Sequence, residues 1–71
     1  MELREARRER GLTQEALAHT ANISLTTVRK LEAGNAIDPA FRPVMTICRV
    51  LGRSWEEIDE FRTLVEERGA V

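Results

Sequence analysis

Apolar residues recur at intervals of three and four along five separate segments of the chain. This spacing places them on one face of a helix, with the polar residues between them facing solvent. The predicted helices cover residues 2–10, 14–20, 25–33 and 41–51, and a fifth begins at Trp55. We therefore expect an all-α domain built from five short helices.

Polar residues and glycine mark the ends of the second and third helices. Thr13 can cap the second helix through its hydroxyl, and Ser24 can cap the third. Between them, Asn22 tolerates the left-handed backbone of a tight turn at low cost. Gly34 has the position of the glycine that follows a helix C-terminus. These signals predict two helices joined by a short turn within residues 12–34.

A loop at residues 35–39 separates the third helix from the fourth. Pro43 fits only the first turn of a helix, where its missing N–H costs nothing, so the fourth helix must start at residue 40 or 41. Ser54 and Glu57 have the spacing of a capping box, which is the reason for expecting the fifth helix to start immediately after Ser54.

The single cysteine, Cys48, lies on the apolar stripe of the fourth helix with Val44, Ile47 and Leu51. We expect a small buried hydrophobe there, not a redox switch. One cysteine cannot form an internal disulfide, and no His/Cys cluster has the spacing of a metal site, so no metal or cofactor is expected. His19 has no second ligand or nucleophile in view, and we expect it at the surface.

The 71 residues make one small domain. There is no secretory segment and no long apolar run, which predicts a cytoplasmic protein that does not enter a membrane. The chain also has no paired carboxylates in a pocket, no nucleophile beside a base and no glycine-rich phosphate loop. An enzyme acting on a small-molecule substrate is therefore not expected.

Residues 12–34 resemble the helix-turn-helix motif of the Cro and repressor proteins of lambdoid phages. Residues 3–7 resemble the first helix of that family, and residues 54–58 resemble the start of its fifth. The fourth helix resembles its counterpart in the family through Pro39, Phe41 and the apolar stripe that follows. The resemblance covers about residues 2–60, and it implies a five-helix bundle of the lambda-repressor-like type that binds double-stranded DNA.

In this interpretation residues 1–60 are the DNA-binding domain, and residues 61–71 extend the last helix. Apolar residues of the C-terminal region recur at helical spacing: Trp55, Ile58, Phe61, Leu64 and Val65. They either close the core beneath the first helix or form the seam of a homodimer, and the sequence leaves both alternatives open. We expect a homodimer, with Phe61, Leu64 and Val65 as its contact.

The third helix has a polar face opposite its core side. At 100° per residue, Val28 and Leu31 mark the core side, and Thr26, Arg29 and Lys30 fall opposite. In the family that this segment resembles, the beginning of this helix approaches base edges. An arginine can contact guanine through two hydrogen bonds. We expect base contacts from Ser24, Leu25, Thr26, Arg29 and Lys30.

Phosphate contacts are expected from Thr13, Gln14, Asn35 and Arg42. Gln14 begins the second helix, where N–H groups and the helix dipole attract an anion, and the family resembled here has a glutamine at this place. Residues 36–40 depart from the family, because many relatives carry basic residues there. We therefore expect modest affinity for phosphates.

The resemblance also implies a structural ion pair. Family members pair an arginine of the first helix with a glutamate of the third at the places of Arg7 and Glu32. Glu32 lies at the flank of the core side, so the pair is expected to be partly buried.

Charge is the property that least fits DNA binding. The net charge is −1 and the pI about 5.8, whereas DNA-binding domains are usually basic. Residues 1–53 carry nine basic and six acidic residues, a balance of +3, and residues 54–71 carry two and six, a balance of −4. The acidity is thus concentrated in the C-terminal region, which could face away from DNA.

Two functions remain from the sequence. The first is a sequence-specific, repressor-like regulator that reads the major groove with the helix at residues 25–33. The alternative is a protein-interaction module, or antitoxin-type partner, that has the same fold but little or no affinity for DNA.

Overall fold

The computed structural model describes residues 1–35 and 41–68. Its helices are α1 (Leu3–Glu9), α2 (Gln14–Ala21), α3 (Leu25–Glu32), α4 (Phe41–Leu51) and α5 (Asp59–Arg68), with a 3₁₀ turn at Trp55–Glu57. The described residues contain no strand, and the predicted all-α fold with five helices is confirmed. Of the loop predicted at residues 35–39, only Asn35 is among the described residues.

The connection from α2 to α3 has the predicted caps. The Thr13 hydroxyl accepts the N–H of Ala16 at 3.0 Å, and the Ser24 hydroxyl accepts the N–H of Thr27 at 3.1 Å. Between the helices, Asn22 is left-handed with φ 57° and ψ 46°. This conformation changes the direction of the chain between the two helices, and α3 packs against α2.

Helix α4 starts at Phe41, with Pro43 in its first turn as expected, and ends at Leu51. All four residues of its predicted apolar stripe are buried. Burial, and secondarily the negative charge of Glu57, raises the pKa of the Cys48 thiol to about 11. Among the described helices, none is long and apolar enough to cross a membrane.

The core draws side chains from every helix. Helix α2 packs against α3 and α4, while α1 and α5 contact each other and α3. The largest fully buried side chains are Leu3, Leu17, Val28, Val44, Ile47, Ile58 and Phe61. Because α1 and α5 both supply members of this set, the two ends of the described chain close one core.

The expectation that Phe61, Leu64 and Val65 form a dimer seam is wrong. All three are buried within the single chain, with Phe61 fully covered. Helix α5 lies against α1, and the N–H of Leu3 donates to Glu60 Oε1 at 2.8 Å. The core therefore continues past residue 60, and it takes up these three apolar side chains of α5.

The fifth helix begins at Asp59, four residues later than predicted. The capping interaction itself is present, since the N–H of Ser54 donates to Glu57 Oε2 at 2.9 Å. It closes only a 3₁₀ turn, after which Ile58 is extended, with φ −111° and ψ 118°. This extended residue directs its side chain into the core, where it is fully buried, and α5 starts after it.

Candidate nucleic-acid interface

Helix α3 presents Thr26, Arg29 and Lys30 to solvent, while Val28 and Leu31 on its other side are buried. With eight residues the helix is about 12 Å long, since each residue adds ~1.5 Å. The major groove of B-DNA is ~12 Å wide and admits an exposed helix of this kind. The outer face predicted from the helical period is therefore at the surface and accessible to a large partner.

The two residues that begin this face also have intramolecular contacts. The hydroxyl of Ser24, besides capping α3, lies 2.8 Å from the hydroxyl of Thr27. Leu25 is half-buried and packs against the core. Both residues therefore fix the start of α3. Most of the polar groups on the outer face of α3 belong to the residues that follow them, Thr26, Arg29 and Lys30.

An ion pair joins α1 to α3. Arg7 Nε donates to Glu32 Oε2 at 2.6 Å, and Arg7 Nη2 donates to Glu32 Oε1 at 3.2 Å. Arg7 Nη1 donates to the carbonyl of Leu12 at 2.8 Å, so the guanidinium also holds the loop before α2. Only 10% and 6% of the two side chains are exposed. The sequence-predicted pair is thus present and nearly buried.

Gln14 joins this ion pair, an arrangement that the sequence did not indicate. Its Nε2 donates to Glu32 Oε1 at 3.1 Å, and the side chain is half-buried. An amide nitrogen carries two hydrogens, and Glu32 accepts one of them. Gln14 therefore links the N-terminus of α2 to α3 in addition to any contact with an anion.

The other expected phosphate ligands are at the surface. Thr13 is exposed, and its hydroxyl oxygen is the cap of α2. Asn35 is exposed, and its N–H donates to the carbonyl of Lys30 at 2.9 Å. Arg42 is exposed in the first turn of α4. Asn35 and Arg42 precede and follow residues 36–40, the segment that departs from the family and lies outside the described part.

A groove of about 520 Å³ runs between α1, the N-terminus of α2 and α3. Above the Arg7–Glu32 pair it is lined by Arg4, Arg8, Thr13, Gln14, Arg29 and Ala33. We call it the arginine groove. Arg4 and Arg8 were absent from the residues expected to bind DNA. The sequence did hold a signal for them, because they lie one helical turn apart on either side of Arg7.

Acidic side chains gather elsewhere on the molecule. A second groove, of about 260 Å³, lies between α5 and the ends of α1 and α3, and its lining includes Glu2, Asp59, Glu60 and Glu67. This groove and the arginine groove thus differ in the sign of the charged side chains that dominate their linings. Within the described residues, no group of three or more His, Cys, Asp or Glu side chains is placed to hold a metal ion.

Comparison with protein families matches residues 3–58 to the helix-turn-helix family. No curated protein and no solved structure matches the chain. The matched residues run from the start of α1 to the residue before α5 and include both helices of the motif and its left-handed turn. The chain therefore belongs to the Cro/C1-type helix-turn-helix family, a DNA-binding family with a lambda-repressor-like, all-α fold.

Proposed function

We propose that the protein is a sequence-specific transcriptional regulator of repressor type, which acts in the cytoplasm by placing α3 in the major groove of double-stranded DNA. The observation that carries this proposal is the exposed polar face of α3 on a helix that is held rigidly. The Ser24 cap fixes its start, and the buried Arg7–Glu32 pair fixes its end. A rigid helix loses little conformational freedom on binding.

Thr26 and Lys30 are the base-reading residues in this proposal. They lie four residues apart on the exposed face of α3, so their side chains point the same way. The methyl group of Thr26 suits the methyl group of thymine, and the ammonium of Lys30 suits the acceptors of guanine. Thr13, Gln14, Asn35 and Arg42 contact phosphates on the flanks, and Leu25 adds apolar contact at the edge.

The protein acts as a homodimer in this proposal. A single α3 buries too little DNA surface for a working operator, whereas two copies with their third helices about 34 Å apart meet successive major grooves. Since the apolar face of α5 is buried, the contact must lie elsewhere. Met45 is 56% exposed, the one large hydrophobic residue of the described part that is exposed.

Met45 lies beside a groove of about 320 Å³ that is also lined by Cys48, Arg49 and Trp55. We call this region the Met45 surface. The exposed Arg49 lines its groove, and the exposed Glu56 follows Trp55 in the chain, so charges of both signs lie at or next to it. A surface of mixed sign is suited to meet its own copy across a two-fold axis, because each arginine then faces an acid of the other copy.

Binding to DNA fragments from the protein's own upstream region tests the regulator proposal. Fluorescence anisotropy should show tighter binding to one fragment than to a shuffled sequence. Thr26→Ala and Lys30→Ala should each lower that preference by about 5- to 150-fold, the range of a lost base contact. Arg62→Ala is the control, since it removes a positive charge from the exposed side of α5.

The alternative of an interaction module draws support from the net charge of −1. It predicts that no fragment binds, even at low ionic strength, where contacts to phosphates are strongest. Salt-sensitive binding without any sequence preference would also contradict the proposed reading of bases by α3.

A further inference from the structure

The arginine groove brings three exposed guanidinium groups together at the edge of the α3 outer face. Arg4 and Arg8 are four residues apart on α1 and project from the same side of it. Arg29 faces them from α3 across the groove. Within the part of the chain that the structure describes, none of the three forms an ion pair.

The acidic residue in the floor of this groove does not neutralise the three arginines. Glu32 already accepts two hydrogen bonds from Arg7 and one from Gln14. Its charge is therefore balanced within the floor, and the rim keeps its positive charge. Like charges that line one groove repel one another, and an anion bound between them would relieve the repulsion.

The shape and chemistry of the groove fit the phosphodiester backbone of DNA. Guanidinium groups are planar forks that bind phosphate oxygens through paired hydrogen bonds. The groove of about 520 Å³ is open to solvent between two helices, so a continuous DNA strand could pass along it without having to end there. The first helix of a helix-turn-helix motif, here α2, crosses the DNA backbone when the second helix occupies the major groove. The arginine groove is also lined by Thr13 and Gln14 at the start of α2, so a backbone crossed by α2 would pass beside it.

The direction of Arg29 separates it from the base-reading residues. Arg29 and Lys30 are adjacent on α3, so their side chains diverge by about 100°. Lys30 shares its direction with Thr26, whereas Arg29 lines the groove shared with α1. An arginine turned toward α1 is placed for the DNA backbone at the side of the helix and not for base edges in front of it.

We propose that Arg4, Arg8 and Arg29 form a binding site for a DNA backbone phosphate, and that Arg29 supplies affinity and not base selection. This inference rests on the proposed function, because the phosphate reaches the groove only when α3 occupies the adjacent major groove. It adds α1 to the DNA-binding surface.

The test measures the dissociation constant for specific and shuffled DNA at several salt concentrations. The variants to compare with the unmodified protein are Arg4→Ala, Arg8→Ala and Arg29→Ala. Each should make the negative slope of log K against log salt shallower, by up to about 0.9 per lost phosphate contact. Each should weaken both DNA sequences by a similar factor. Site selection from a random library should give the same consensus with Arg29→Ala as with the unmodified protein. Arg62→Ala, the charge-matched control, should leave the slope unchanged.

Three results would overturn this inference alone. The first is an unchanged salt slope for Arg4→Ala and Arg8→Ala while the unmodified protein binds DNA, which would leave the proposed function intact. The second is a changed consensus with Arg29→Ala. The third is saturable binding of inorganic phosphate at constant ionic strength that Arg8→Ala abolishes without weakening DNA binding, which would assign the groove to a free anion. Absence of DNA binding by the unmodified protein would overturn both proposals.

Discussion

Arg7 Nε and Glu32 Oε2 lie 2.6 Å apart in a nearly buried ion pair that fixes the angle between α1 and α3. The pair links residues 25 positions apart in the sequence. With the Gln14 amide on the same carboxylate, it positions all three helices that border the arginine groove. The geometry of the proposed DNA-binding surface therefore depends on one buried carboxylate.

Glu32→Ala should destabilise the fold by about 3–5 kcal/mol, because it leaves the Arg7 guanidinium buried without its counter-ion. Chemical denaturation followed by circular dichroism measures the change. Replacing both partners, with Arg7→Met and Glu32→Met together, should recover much of that loss, since no uncompensated charge remains. Glu66→Gln, an exposed acid on α5, is the control and should leave stability unchanged. A double variant as unstable as Glu32→Ala would contradict this account.

Phe61→Ala should destabilise the fold by about 3–5 kcal/mol, because it opens a cavity beneath α1 and α5. Phe61 is fully buried in the single chain, so the loss should not depend on protein concentration. Urea denaturation at two concentrations that differ tenfold measures both properties. A midpoint that falls only in the dilute sample would indicate that Phe61 contacts a second copy after all.

The elements that the sequence predicted best are those defined by local signals. Pro43 permits only the first turn of a helix, which limited the predicted start of α4 to residue 40 or 41. The apolar stripe predicted its end at Leu51, where the helix does end. Asn22 predicted the left-handed turn for the same reason, because few other residues adopt φ 57° at low cost.

The errors concern properties that depend on tertiary packing. Ser54 and Glu57 form their capping interaction, but the burial of Ile58 interrupts the helix that should follow. The apolar stripe of Phe61, Leu64 and Val65 was evident, yet spacing alone cannot tell a core face from an interface. Only the contact of α5 with α1 decides this.

The arginine groove was missed for a similar reason. The spacing of Arg4 and Arg8 places them on one side of α1, but nothing local tells which helix faces that side. The docking of Arg7 onto Glu32 brings them opposite Arg29. The family resemblance supplied that ion pair but not its consequence for the flanking arginines.

The stability of the protein should fall as pH rises from about 9 to about 11. The pKa of the Cys48 thiol is raised to about 11 from an ordinary value of 9.0, so the unfolded chain releases this proton at lower pH than the folded chain. The protonated thiol contributes its full stabilisation below the ordinary pKa of 9.0. This contribution is lost as the pH rises from there to the pKa of the folded chain. Denaturation midpoints across this range measure the effect. Cys48→Ala should have a flatter profile in the same window, and an identical slope would show that other groups cause it.

Met45→Asp should convert the proposed dimer to a monomer and weaken operator binding, because a carboxylate at the centre of the Met45 surface would be desolvated against its own copy. Met45 is 56% exposed in the single chain, so the fold and its helical content should be unaffected. Sedimentation equilibrium measures the association, and anisotropy with a full operator and with a half-site separates dimer formation from DNA contact. Met45→Asp should bind a half-site as tightly as the unmodified protein does. Its affinity for the full operator should fall to nearly its affinity for the half-site. Thr63→Asp places the same charge on the exposed side of α5 and should leave association intact. If the unmodified protein sediments as a monomer at high concentration and binds the full operator as a single unit, the Met45 surface is not a dimer contact.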